Sequence, residues 1–553
     1  MPIVHPLPDP FSMEEAFLKL AGLPGRLWFD SASAGPMVPT SIREGVAIGG
    51  RDSRSISREP IGRYSFLTAD PIDRIVARIG DPDPWPKLVA WESALPRNAI
   101  AGLPPFQGGI AGLWGYESAQ WLEATGPLAE DDLPTPALSV GAYDWVIAKD
   151  HVTNQAWLIS QGFRTTDWKA DADFAASRRD AVLRTLHAST QPPDADFGDH
   201  HADPRTRGSI AGPRTSGAIA GPRTSDTIAE PRTRGTIAGP RTSDTIGGTG
   251  RPAPDRRLPQ SPDATLDPMS LHPTSREGIF SNFSSAGLRQ AIDEVIERIR
   301  SGDSFQVNLA QRLLRPWGGS SQRLYLELRQ TNPAPFAGYY AGEGFEVLSS
   351  SPEGFLRVRD GWVETRPIKG TAPRTGDAVA DREGAKRLQS SDKERAENVM
   401  IVDLMRNDLS RVCHDDSIEV TQLCEVEGYA YVQHLVSAVR GRLREGVGSV
   451  ELLAACFPGG SVTGAPKVEA MRTIAELEPS RRGPYCGSLG YVSVGGKSEF
   501  NILIRTVTIQ GGYLQLPVGG GITARSESLR EEQETWVKAE GMLRAIRSGI
   551  MTP

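Results

Sequence analysis

The sequence predicts a mixed α/β fold, and three observations carry that reading. Short runs with strand character, Trp145-Val146-Ile147-Ala148 and Ala156-Trp157-Leu158-Ile159, alternate with glycine and proline turns across residues 1–187. Leu288, Ile292, Val295, Ile296 and Ile299 recur at helical spacing, and strands and helices interleave from there to the C-terminus. The chain has 553 residues, 39% of them hydrophobic, which is ample for a large core and for two or more domains.

Taken in order, residues 167–187 read as a charged helix with Leu183 and Leu186 on one side. In the helix that contains Leu288 and Ile299, Ser284 or Ser285 supplies the N-cap and Gly302 the stop. Ser304-Phe305-Gln306-Val307-Asn308-Leu309 alternates like a strand. Between these regions lies a segment of another kind. A nine-residue unit recurs as PRTRGSIAG, PRTSGAIAG, PRTSDTIAE, PRTRGTIAG and PRTSDTIGG, starting at Pro204, Pro213, Pro222, Pro231 and Pro240. Such a period is also a mark of solenoids. Each copy here offers one isoleucine and one proline, too little apolar surface to offset the entropy of ordering. A disordered low-complexity insertion is expected, with a basic tether for a partner as the weaker alternative. The chain thus divides into 1–187, an insertion at 188–276, and 277–553.

A net charge of -7 gives no electrostatic case for nucleic acid. The four cysteines, Cys413, Cys424, Cys456 and Cys486, form no C-x-x-C pair and no disulfide framework, as expected in a reducing compartment. The N-terminus lacks a basic start and an apolar h-region, and no apolar run reaches the ~18 residues of a membrane helix. A cytoplasmic protein with no membrane association is expected.

Four constellations carry chemistry. Glu394 and Glu397 lie three apart, so they share a helical face, leading into Asn398 to Asp408; the second half of this helix is apolar on nearly every side and expected to be buried. A charged first turn that favours the helix dipole is the plain alternative. Near the C-terminus Glu531, Glu534 and Lys538 share another face, opposite an apolar stripe of Leu529, Trp536, Ala539, Leu543 and Ile546. Periodicity alone makes that polar face a solvated one. Two helices that each carry an i, i+3 glutamate pair also suit a hard cation such as magnesium, which takes one or two carboxylates and keeps waters. The segment Phe457-Pro458-Gly459-Gly460-Ser461-Val462-Thr463-Gly464-Ala465-Pro466-Lys467 superficially matches a phosphate loop, but Ala465 and Pro466 break the required spacing before Lys467. Its backbone, like Gly519-Gly520-Gly521, can present N–H groups to another anion or form a tight turn. The last is Pro367-Ile368-Lys369-Gly370-Thr371, sixteen residues after Ser351-Pro352-Glu353, which puts a lysine on a constrained loop.

Together these blocks closely resemble the chorismate-utilising family, which contains anthranilate synthase component I, aminodeoxychorismate synthase component I, isochorismate synthases and salicylate synthases. The resemblance is dense over about 279–547, where SPE, PIKGT, ERAEN, RND, GGSVTGAPK and the terminal E-x-x-E-x3-K occur in order. It is thinner over about 15–160, where Gly62-Arg63-Tyr64-Ser65-Phe66-Leu67 and Ala69-Asp70-Pro71 match. It implies the anthranilate synthase component I-like α/β fold, a central β-sandwich of two large sheets with helices outside. It also implies roles at matching positions. Glu397 and Glu534 would be magnesium ligands, with Glu394 and Glu531 holding metal waters. Gly370, Thr371, His434, Tyr485, Arg505, Gly519, Gly520, Gly521 and Lys538 match substrate-binding positions, Arg505 as a bidentate carboxylate partner. Glu353 would be the general acid.

Lys369 separates the members. Anthranilate synthases carry alanine here, whereas a lysine is the mark of aminodeoxychorismate synthases, where it is thought to attack chorismate covalently. Deprotonating an ordinary lysine at pH 7 costs roughly 4–5 kcal/mol, which a desolvated loop can reduce. Gln306 matches the position where isochorismate synthases keep a water-activating lysine, so ammonia is the expected nucleophile. The resemblance therefore implies an aminodeoxychorismate synthase component I with magnesium as cofactor. Leu27-Trp28-Phe29-Asp30-Ser31 only partly resembles the family's tryptophan-site block, and Ser526-Glu527-Ser528 replaces a more usual Ser-Asp-Pro. No cysteine sits in a glutaminase-like context, since Cys486 lies within the chorismate block, so a separate glutamine amidotransferase partner is expected. The rivals are anthranilate synthase component I and a catalytically silent chorismate-binding regulatory subunit.

Overall fold

The computed structural model describes residues 1–31, 60–126, 128–188, 266, 270–428 and 432–551, with side chains through 548. Residues 1–191 with 258–552 form one unit; a second, 192–257 with Pro553, lies outside the described residues. The nine-residue repeats and most of the expected disordered insertion fall outside the described residues as well. Its expected end at 276 is too late, because His272–Pro273 is already a strand paired antiparallel with Phe280–Ser281.

The helix with the isoleucine repeat forms where the local signals put it, at Ser285–Ser301. The Ser284 hydroxyl accepts from Gly287 N–H, and Gly302 ends the helix at φ 96°. This left-handed conformation costs glycine little. The N-terminal helix is shorter than expected, Ala172–His187, because Asp171 caps it through Phe174 N–H. Trp145–Asp150 and Ala156–Ser160 are antiparallel neighbours, and the strand expected from Ser304 runs from Gln306 to Pro316.

Among the described residues the strands fall into two antiparallel sheets, one of thirteen strands and one of ten. Both halves of the chain contribute to both sheets. Leu27–Asp30 pairs with Phe336–Ala341 in the larger one, and Gly109–Trp114 pairs with Ser488–Ser493 in the smaller. A cluster of Leu27, Phe66, Phe106, Leu113, Tyr340 and Leu489 packs between the sheets. Helices cover the outer faces, Ser321–Thr331 and Ser528–Met551 on the larger sheet and Asp392–Ser410 and Ser449–Cys456 on the smaller. This is the expected sandwich. The helix Asp392–Ser410 departs from its expected burial. Ile401, Val402, Met405 and Leu409 are buried, but Val399 is 46% exposed, because the helix packs one side only against the Val432–Arg442 strand. Leu529 is likewise exposed at the start of its helix instead of joining the apolar stripe. Among the described residues no helix is long and apolar enough to cross a membrane.

Candidate active site

Lys369 lies not on the expected loop but on a strand, Ile368–Pro373, because its backbone pairs with Val432–Arg442, which carries His434 opposite Thr371. A register shift between Lys369 and Thr371 leaves Gly370 out of the regular ladder at φ 63°. A side chain at Gly370 is excluded twice. The left-handed backbone disfavours it, and a Cβ would stand 2.5 Å from Leu388 Cδ1 and 3.0 Å from Glu394 Oε2. The glycine thus lets the Lys369 strand run against the helix that carries Glu394 and Glu397.

The Lys369 ammonium stands 3.4 Å from the carbonyl of Ser461, in the Gly-rich segment. Part of its surface remains exposed, yet packing around it lowers its pKa, against the pull of Glu397, Glu353 and Glu394. Glu353 is buried, and the Ser461 hydroxyl donates to its Oε1 at 2.7 Å. Burial raises the Glu353 pKa against the opposing effects of Ser461, Lys369 and Arg505, which favours a carboxylic acid able to give up a proton. Ser461 thus bridges the two groups, its hydroxyl to one and its carbonyl to the other. Its polarity within a glycine-rich run was the available signal, and sequence reasoning assigned it no role.

His434 is buried, with Nδ1 3.2 Å from the Gly370 carbonyl and 3.0 Å from Thr371 Oγ1. A carbonyl can only accept, which places the imidazole proton on Nδ1. Burial drives the His434 pKa down to about 4, with Arg505 pushing the same way, so the ring is neutral near pH 7. The unfolded-state value is about 6.5. A depressed folded value gives stability that is present above pH 6.5 and lost as pH falls through 4, worth roughly 3 kcal/mol. Between pH 7 and pH 4 the wild type is expected to lose about that much more unfolding free energy than His434→Gln in urea titrations. Equal losses would show that the imidazole is not held neutral.

Arg505 adopts φ 50°, and Ser350 N–H donates to its carbonyl. No hydrogen bond or ion pair engages its guanidinium among the described residues; burial lowers its pKa, opposed by Glu353. A partly desolvated cation of this kind is a ready receptor for a carboxylate. Tyr485 is buried, with burial holding its phenol protonated, and its ring lies 5.7 Å from the Arg482 guanidinium.

The strand Tyr513–Ile522 supplies the glycines, with Gly519, Gly520 and Gly521 opposite Ala310, Leu309 and Asn308. Lys538 donates to the Gly519 carbonyl at 2.9 Å and pairs with Glu534 at 2.8 Å. A Cβ at Gly520 would come within 3.4 Å of both Glu531 Oε2 and Lys538 Nζ, and 3.9 Å of Glu534 Oε1. The polar helical face therefore lies over the glycine strand and is not wholly solvated, with Glu531 only 6% exposed. Ser526, from the segment that departs from the family pattern, donates to Glu531 Oε1 at 2.6 Å.

The two glutamate pairs act on one another. Burial raises the Glu397 pKa, aided by Glu394 and Glu531; Lys369 and Lys393 oppose it. Burial would also raise Glu534, but Lys538 outweighs it and the carboxyl is lowered. Among the described residues no three His, Cys, Asp or Glu groups form a ready-made metal cage. Magnesium rarely needs one, since it is held by one or two carboxylates plus waters. Two features fit such an ion. Glu397 Oε1 is buried with no hydrogen-bond partner among the described residues, the ion pair found there being Lys393 at 3.9 Å, and the space over Gly520 is kept open by the missing side chain.

Lys467, at the end of the Gly-rich segment, is engaged elsewhere, bonding Asp408 Oδ2 and the Cys456 carbonyl at 2.7 Å each. It ties two helices together and is not free to reach an anion. All four cysteines are buried and unbridged, and burial pushes the Cys486 thiol up to about 12, far from a working nucleophile. A separate cavity of about 50 Å³, lined in part by Phe29, Ser31, Tyr64, Phe336 and Tyr491, shares none of the residues above and is not where the reactive groups gather.

The family described as chorismate binding enzyme matches residues 256–544. Aminodeoxychorismate synthase component 1 of Salmonella typhimurium is 33% identical over 503 residues, covering 88% of this chain and 91% of its own. Anthranilate synthase component 1 of Streptomyces coelicolor is 34% identical over 493 residues, covering 88% of this chain and 81% of its own. The crystal structure of anthranilate synthase component I from Streptococcus pneumoniae superposes with a TM-score of 0.65 at 26% identity, covering 93% of this chain and 98% of that one. Blocks of sequence, sandwich and clustered side chains agree: the chain belongs to the chorismate-binding enzyme family and acts on chorismate.

Proposed function

We propose that the chain is the chorismate-aminating component of an aminodeoxychorismate synthase. It converts chorismate and ammonia to 4-amino-4-deoxychorismate, the route to p-aminobenzoate and folate. The observation that carries the reading is Lys369 beside Glu353, the amine lowered in pKa and the acid raised, joined through Ser461. Neutral Lys369 attacks ring carbon 2, both ring double bonds shift round the ring toward carbon 4, and the 4-hydroxyl leaves as water with the proton of Glu353. Ammonia then adds at carbon 4, the double bonds shift back, the bond to Lys369 breaks to return the neutral amine, and the new ammonium gives a proton back to Glu353. Arg505, Tyr485, Thr371, His434 and the backbone of Gly370 and Gly519–Gly521 orient the substrate. Glu397 and Glu534, with Glu394 and Glu531, hold magnesium, which supplies positive charge for the ring carboxylate. Ammonia comes from glutamine through a separate glutaminase subunit, since no cysteine here is suited to that chemistry.

Purified chain with chorismate, magnesium and ammonium salt is expected to yield an aminated product that keeps its enolpyruvyl group, and to give none with glutamine alone. Fluorescent anthranilate with pyruvate would instead establish the second reading, anthranilate synthase, which the Streptomyces coelicolor relative supports. Glutamine-dependent turnover by the single chain would refute the need for a partner.

A further inference from the structure

The buried pair Glu478–Arg482 touches neither Lys369 nor Glu353, yet it is bonded to the segments that hold the reacting groups. Arg482 is 6% exposed, and its guanidinium makes four hydrogen bonds. Two go to the carboxylate of Glu478, at 2.9 and 2.6 Å. One goes to the carbonyl of Val462 at 3.0 Å, the residue after Ser461. One goes to the carbonyl of Asn308 at 2.6 Å, the residue opposite Gly521. Glu478 Oε1 also accepts from Ala310 N–H at 2.8 Å, opposite Gly519. The guanidinium lies 5.7 Å from the Tyr485 ring and 4.8 Å from that of Tyr116. The loop that carries Arg482 is fixed in turn by Glu117, whose carboxylate accepts from Arg482 N–H at 2.8 Å and Gly483 N–H at 3.0 Å.

We propose that Arg482, oriented by Glu478, is a positioning residue that sets the Ser461 segment, the Gly519–Gly521 strand and the Tyr485 ring in one mutual register. The argument is geometric. Ser461 joins Lys369 to Glu353, so a shift of the Val462 carbonyl moves both reacting groups. A planar fork with several fixed donors holds three segments at once; an ammonium on a flexible stem cannot. Misplacement of about 1 Å can cost about 100-fold in rate. The inference rests on the reading that chorismate reacts at Lys369 and Glu353.

The test is Arg482→Lys in the full chain, assayed by chorismate consumption with magnesium and ammonium salt. Expected is a kcat about 100-fold below wild type, with chorismate binding by fluorescence titration within about threefold and an unchanged melting midpoint. The double variant Glu478→Leu/Arg482→Met removes both charges, so neither is left buried and unpaired, and carries the same test where the lysine variant is unstable. A kcat within threefold of wild type in a folded variant overturns the proposal. So does a loss of turnover that only tracks the folded fraction, or unfolding of both variants, because the pair then merely supports the fold. A wild-type chain that consumes no chorismate removes the proposed reaction and this inference with it. A wild-type chain that makes anthranilate removes only the amination reading, since the variant-to-wild-type ratio still reports on position.

Discussion

Glu397→Ala and Glu534→Ala are each expected to lower chorismate turnover at least about 1,000-fold, a loss of about 4 kcal/mol in transition-state stabilisation. Glu397 carries the larger part of the argument. Among the described residues its Oε1 has no hydrogen-bond partner, and burial outweighs the pull of Lys369 and Lys393, so the carboxylate is a net cost to the fold. Alanine removes that cost, so the melting midpoint of the metal-free variant should equal or exceed that of wild type. A residue that spends stability in the free protein and is needed for turnover is one held for a ligand. Magnesium with chorismate should raise the wild-type midpoint through binding to the native state and leave Glu397→Ala unmoved. Glu534 is spared the same cost by Lys538 at 2.8 Å, so its alanine variant should show the lost response without the gain in midpoint. Glu540 on the same helix pairs with Arg547, and Glu540→Ala serves as the control, with turnover within about twofold of wild type. Normal magnesium dependence in both site variants would show that the ion binds elsewhere.

How much of this was legible in the sequence depends on whether the signal was local. The helix Ser285–Ser301 was readable because its stripe, its Ser284 cap and its Gly302 stop lie within twenty residues and act on one another. Two aspartates four apart, Asp167 and Asp171, can each cap, and only the second does, so the start of Ala172–His187 was less clear. The carboxylate faces were harder. An apolar stripe says which side of a helix meets the core, but not what lies over its polar side. Glu531 is buried because the residue below it, Gly520, has no side chain, and that apposition comes from a strand earlier in the chain. The resemblance to the family supplied these residues where periodicity alone assigned them to solvent. Glu478 and Arg482 had no such help. In the sequence they are two charges in a polar loop, and their burial follows from three segments converging on them.

Lys369→Ala is expected to abolish amination, but the decisive variant is Lys369→Arg. Two roles place a lysine beside chorismate, that of a nucleophile and that of a fixed positive charge, and alanine removes both. Arginine keeps the charge and does not lose its proton at working pH. The surroundings of Lys369 favour the nucleophile. Its pKa is lowered by burial although three carboxylates, Glu397, Glu353 and Glu394, pull the other way. A side chain needed only for its charge gains nothing from that lowering, whereas an amine that must be neutral to attack gains a larger reactive fraction. Lys369→Arg should therefore be as poor as Lys369→Ala, each at least about 1,000-fold below wild type, while chorismate binding in the arginine variant stays within about tenfold. The covalent step itself is tested in the intact chain with chorismate and magnesium but no ammonia. An adduct should then accumulate on the peptide that contains Lys369 and be absent from Lys369→Ala, as read by mass spectrometry after acid quench. Glu353→Gln should suppress the adduct as well, since the hydroxyl then leaves without a proton donor, although Ser461 can still hydrogen-bond the amide. An active arginine variant with no adduct in the wild type would rule out covalent catalysis. The lysine would then be a cation near the substrate, and the distinction from an anthranilate synthase would rest on the product alone.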